Sequence, residues 1–110
     1  MKVPNSLLAV IDDQKIHDYL LNMKHPEGAA KASFFLRLGF DPLSLKETIL
    51  NHVWNNEFIK SQLTLFGTKY IVESTVNSPN DYSFKLRTVW IISSPNKFPI
   101  FITAYPVYHV

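Results

Sequence analysis

An α+β domain, with three N-terminal helices packed on one face of a four-stranded antiparallel sheet, is the fold that this sequence predicts. Three observations carry that expectation. The first half of the chain repeats its apolar residues at helical spacing, and from Glu57 onward the period changes to an alternating one. The links between the alternating runs are short and rich in turn formers, which favours an antiparallel meander. Helices gathered ahead of strands, rather than interleaved with them, indicate α+β organisation.

At 110 residues the chain is read as one domain, 1–110, large enough to bury a core without staples. Hydrophobic residues make up 46% and charged residues 18%, the balance of an ordinary globular protein. The absence of cysteine excludes disulfides and thiolate metal sites. No secretory leader pattern and no apolar run long enough to span a bilayer are present, so a cytoplasmic protein without a membrane partner is expected. A net charge of +2 permits local RNA or DNA contact but does not demand it.

Met1–Leu8, with Pro4 and Asn5, reads as an extended arm, and Ala9-Val10-Ile11 as a short strand or anchor. Asp12 and Asp13 supply a cap and first-turn charge for helix one. Ile16, Tyr19, Leu20 and Met23 form its apolar stripe, and Pro26 ends it near Met23 or Lys24. His25-Pro26-Glu27-Gly28 is a turn. Helix two starts near Ala29, with Ala30, Phe34, Phe35 and Leu38 on its apolar side and Gly39 as a left-handed cap. Helix three runs from about Ser44 to Asn55, with a capping-box pattern at Ser44–Glu47 and a stripe of Leu45, Ile49, Leu50, Val53 and Trp54.

Strands follow at Phe58–Leu65 and Lys69–Thr75, joined by the turn Phe66-Gly67-Thr68. The last stretch, Phe84 to Tyr105, is a hairpin with its turn at Ser93–Lys97. Alternation puts Phe84, Leu86, Thr88, Trp90 and Ile92 of one run on the apolar face, joined by Ile100, Ile102 and Ala104 of the other. The second face then carries Lys85, Arg87, Phe101, Thr103 and Tyr105, which Lys69 and Glu73 can join.

Two groups of residues have chemistry to offer. His25, at a helix start with Lys31 six residues on, can exchange protons near neutral pH beside a phosphate-holding cation. The plainer reading is a solvated turn residue before Pro26. The sheet's second face joins Arg87, a bidentate phosphate ligand, to the hydroxyls of Thr103 and Tyr105. The plain alternative there is a solvated face with a cross-strand ion pair. His52 reads as a boundary residue of helix three, His17 lies on a solvent flank and His109 in the tail. No histidine pair has ligand spacing, so neither metal nor cofactor is expected.

Four blocks carry a resemblance: Val3-Pro4-Asn5 with Asp18–Asn22, HPEGAAKASFFLRLGF (25–40), GTKYIVES (67–74) and LRTVWIISSPNKFPIFITAYP (86–106). Together they resemble a bacterial family of small domains with no settled function, marked by HPxGxxKAxFFxxLGF and RTVWII…TAYP. More distantly, the sheet ending in a TAYP strand is similar to the barnase, EndoU and RelE-like ribonuclease toxins. That resemblance implies a metal-independent endoribonuclease with His25, Lys31, Arg87, Thr103 and Tyr105 as catalytic candidates and RNA as partner. This sequence departs from those toxins in lacking a strong basic excess and a second well-placed histidine. The alternative is a non-catalytic interaction module, such as an antitoxin, immunity or phage-associated adaptor protein, whose partner is another protein. Oligomeric state is left open.

Overall fold

The computed structural model describes residues 1–26, 28–93 and 97–107. Glu27 of the first expected turn, Ser94, Pro95 and Asn96 of the hairpin turn, and His109 lie outside them. A short 3-10 turn at Ser6–Leu8 precedes α1, which begins as Asp13–Lys15 and continues with π geometry over Ile16–Leu20. Then come α2 (Ala29–Arg37), α3 (Pro42–Asn55), β1 (Phe58–Thr64), β2 (Gly67–Asn77), β3 (Ser83–Ile92) and β4 (Ile100–Val107). The strands form one antiparallel sheet in the order β1-β2-β3-β4, so the expected α+β architecture is the observed one. None of the helices is long and apolar enough to cross a membrane, among the described residues.

Local chemistry explains where the helices begin and end. Asp12 caps α1 by accepting from the Gln14 N–H at 2.9 Å. The helix then widens, with the Leu21 N–H donating five residues back to the Ile16 carbonyl at 2.9 Å, and stops at Leu20. It is one turn shorter than its apolar stripe implied, and Met23 is 58% exposed. The cap of α3 lies earlier than expected. Asp41 accepts from the Ser44 N–H at 2.7 Å, and Ser44 Oγ accepts from the Asp41 N–H at 3.0 Å. Pro42 therefore sits in the first turn, where a missing N–H costs nothing.

The core lies between the helices and one sheet face. Ile16, Leu20, Phe35, Leu45, Ile49 and Val53 meet Val72, Leu86, Trp90, Phe101 and Ala104. Each large side chain so buried stabilises the fold by about 1.5–3 kcal/mol. Trp90 is fully buried and keeps its indole N–H satisfied by donating to Thr88 Oγ1 at 2.8 Å.

One irregularity decides which side chains of β4 join that core. Val89 pairs with Thr103 but Trp90 pairs with Phe101, so Ile102 is an extra residue, a β-bulge. The extra residue inverts the alternation on its N-terminal side. Phe101 turns into the core, while Ile100 and Ile102, expected there, are only half-buried.

Candidate functional site

Beyond the bulge the alternation is the expected one, and β4 places Thr103 and Tyr105 on the second face of the sheet. In the ladder Tyr105 stands opposite Arg87, and Arg87 stands opposite Glu73 of β2. The first turn of α2 supplies Lys31, and the widened end of α1 supplies Tyr19. Those two segments approach very closely at Gly28, where a Cβ would meet the Tyr19 carbonyl oxygen at 2.5 Å and its ring at 2.9 Å. Only glycine permits that approach.

Lys31 stands at the centre of the cluster. Its Nζ donates to Tyr19 Oη at 2.5 Å and to Thr103 Oγ1 at 3.2 Å, and those two oxygens are 3.4 Å apart. The ammonium also faces the rings of Tyr19 and Tyr105, 4.9 and 5.4 Å from their centroids. Among the described residues it forms no ion pair with a carboxylate. Arg87 differs in this respect. Its Nη2 donates to Glu73 Oε2 at 3.0 Å and its Nη1 to Tyr105 Oη at 3.3 Å. The bonds to Tyr105 and then to Glu73 hold the guanidinium even above its usual range, so it is permanently charged. Its Nε is buried with no hydrogen-bond partner among the described residues.

His25 meets this cluster through Tyr19, whose ring it contacts edge-on at 5.0 Å between centroids. His25 Nδ1 accepts from the Gly28 N–H at 3.0 Å. A ring nitrogen that accepts carries no proton, so the neutral ring bears its proton on Nε2. Tyr19, His25 and Thr103 line a cleft of about 670 Å³ with Asp12, Lys15 and Asp18. Lys31 lines a separate depression of about 220 Å³ with Ala30, Phe34 and Pro106.

The five candidates thus form one train of contacts without sharing one cleft. His25 and Thr103 open on the larger cleft, Lys31 lies behind Tyr19 and Thr103, and Arg87 and Tyr105 extend the train across the sheet. Lys69 and Lys85 share the sheet face with Arg87 but sit in register with Ile91 and Thr75, away from Glu73. Sequence reasoning missed Tyr19, which it placed on the buried stripe of a regular helix. The available signal was a phenol on that stripe, because a buried tyrosine hydroxyl needs a polar partner.

His52 needs correction. It is 2% exposed rather than at a boundary, with Nε2 on the Val72 carbonyl at 3.1 Å and Nδ1 on Ser74 Oγ at 2.6 Å. A carbonyl can only accept, so Nε2 carries the proton and Nδ1 accepts from Ser74. Burial holds this imidazole below its ordinary pKa. It ties α3 to β2 and lies outside the Lys31 cluster. Among the described residues no three His, Asp or Glu side chains gather as metal ligands would.

Residues 2–108 match the model of a domain of unknown function, DUF6883. No protein of curated function matches the chain. The fold is similar to that of a chain in the contact-dependent growth inhibition toxin – immunity protein complex from Klebsiella pneumoniae 342. The TM-score is 0.73, over 97% of this chain and 100% of that one, at 20% sequence identity.

Proposed function

The chain belongs to the DUF6883 domain family, and on that premise we propose that it is an endoribonuclease of toxin type, acting on RNA phosphodiesters without a metal ion. One observation carries the reading: a half-buried ammonium, Lys31, that no carboxylate among the described residues neutralises, held instead by two hydroxyls. Hydroxyl partners orient a cation without cancelling its charge, so it remains available to an anion. The likeness to a chain of a toxin–immunity protein complex supports the fold alone, since one fold hosts many functions.

In this mechanism the RNA 2′-hydroxyl attacks the adjacent phosphorus, forming the P–O2′ bond as the P–O5′ bond breaks. Thr103 and Tyr19, which line the cleft with His25, donate to the phosphoryl oxygens, and Lys31 behind them polarises both hydroxyls toward the charge that grows there. His25 Nδ1 is the unprotonated ring nitrogen, so it takes the 2′-hydroxyl proton after releasing the Gly28 N–H. It then returns that proton to the departing 5′-oxygen. Arg87, already paired with Glu73, acts by holding Tyr105 against Lys31.

Inducible expression followed by analysis of total RNA tests this reading. Wild type should fragment RNA, while Lys31→Ala and His25→Ala proteins should leave it intact. RNA that is equally intact, or equally degraded, with all three proteins rules the assignment out.

A second reading, a non-catalytic interaction module of antitoxin, immunity or adaptor type, draws on a different observation. Asp12 and Asp18 line the larger cleft, and Arg87 is already neutralised by Glu73. Such a surface suits a protein partner better than a polyanion. That reading expects a stable protein complex, and no RNA cleavage from wild type.

A further inference from the structure

The two edges of the sheet are finished differently. Along β4, Val10 bridges Ile100 with the Phe101 N–H donating to the Val10 carbonyl at 2.9 Å, and Lys15 Nζ donates to the Ile102 carbonyl at 3.1 Å. Along β1 the described residues cover only the start. The Phe58 N–H donates to the Met1 carbonyl at 3.0 Å, and Lys2 bridges Glu57. From Lys60 onward β1 has β2 as its one neighbour among the described residues. Every second residue of such an edge directs its N–H and C=O away from the sheet, and this row is a template for another strand.

The side chains of this segment do not guard against pairing. Leu63 is 81% exposed, Leu65 100% and Phe66 79%, the opposite of what an ordinary solvent edge presents. Residues 60–66 contain no proline and a single charge, Lys60. Proline, inward charge and multiple lysines are the usual means of blunting an edge.

We propose that this edge pairs antiparallel with the same edge of a second copy, about a twofold axis at Leu63, joining the two sheets into one. The register argues for a second copy rather than a foreign strand, because the segment is complementary to itself. With Leu63 facing its own copy, Gln62 faces Thr64, and the turn residues Leu65 and Phe66 beyond the strand end overhang Ser61 and Lys60 of the other copy. Apolar contacts gather at the axis and no two lysines meet. An axis at Lys60 would oppose two ammonium groups and drive the partner into Met1 and Lys2, so the covered start of β1 excludes the early registers, and the exposed Leu63, Leu65 and Phe66 favour the axis that gathers them. A contact of one strand and its turn is at the small end of specific interfaces, so the dimer is weak and concentration-dependent. The proposal does not rest on the ribonuclease reading.

Sedimentation velocity over a micromolar-to-millimolar series tests it. Wild type should shift from monomer to dimer, and Leu63→Lys, which puts two ammonium groups face to face, should stay monomeric with an unchanged melting temperature. Because the chain has no cysteine, Leu63→Cys provides a register test. Directly opposed strand residues have Cα atoms about 4.5–5.5 Å apart, within disulfide reach. Mild oxidation should therefore cross-link Leu63→Cys and leave Thr75→Cys monomeric. A wild type that is monomeric throughout, or a dimer that survives Leu63→Lys, overturns the proposal. So does a monomer whose β1 edge is occupied by a strand of a different protein.

Discussion

Lys31 Nζ lies 3.2 Å from Thr103 Oγ1, a contact that spans 72 residues and ties the first turn of α2 to β4. Tyr19 Oη completes the triangle from α1. Three separate elements therefore meet at one cation.

Tyr19→Phe removes the hydroxyl that accepts from Lys31 and keeps the ring that His25 and Lys31 face. Stability should fall by about 0.5–1.5 kcal/mol, the net worth of one hydrogen bond. On the ribonuclease proposal, RNA cleavage should fall by a larger factor, about tenfold or more, because the ammonium loses its orientation. Urea unfolding beside a cleavage assay separates the two effects.

Gly28→Ala should act through packing. The new Cβ would lie 2.5 Å from a backbone oxygen, which cannot swing aside as a side chain can. A loss of about 1–3 kcal/mol is expected, the usual result of overpacking. Tyr19 should move away from Lys31, and a chemical-shift change at Thr103 in NMR spectra would report it. A variant as stable as wild type, with Thr103 unperturbed, would show that α1 and α2 are not clamped here.

Arg87→Ala leaves Glu73, mostly shielded from solvent, without its partner. We expect a loss of about 1–3 kcal/mol, the range for hydrogen bonds to charged groups. Glu73→Gln in the same background should recover part of it, because the uncompensated charge is gone. Denaturation of wild type, both single variants and the double variant completes a double-mutant cycle that gives the coupling.

Stability should fall in mild acid through His52. Burial depresses its folded pKa, whereas in the unfolded chain it titrates near its ordinary value of about 6.5. Its contribution is complete above that value. As pH drops below it the unfolded state binds a proton first, and stability declines by about 1.4 kcal/mol per pH unit until the folded imidazole protonates too. Denaturant midpoints measured between about pH 8 and pH 5 should show this slope, and His52→Gln should flatten it.

Much of the fold was legible because it rests on local periodicity. The stripe Leu45, Ile49, Val53 identified α3 without ambiguity, and Leu86, Thr88 and Trp90 are buried on one face of β3 as alternation required. Gly39 adopts φ +89° at the end of α2, as a left-handed cap must. Other features were hidden for identifiable reasons. The widened turn of α1 depends on hydrogen-bond spacing that Ile16–Leu20 does not spell out, so Tyr19 looked like a core residue. The bulge at Ile102 depends on how β3 and β4 settle against each other, and apolar residues on both sides of it mask the phase change. His52 looked peripheral because nothing in α3 shows that Val72 and Ser74 await both of its nitrogens.

The sequence by itself determined the helices, the strands, their order, and which residues had acid, base or cationic chemistry to offer, because each of these follows from spacing along the chain. Only the tertiary structure decided that Lys31 would stand between Tyr19 and Thr103 while Arg87 spends its charge on Glu73. That difference arises from three-dimensional register. A bulge, a widened helical turn and a glycine contact set which side chains meet, and none of them leaves a periodic mark in the sequence.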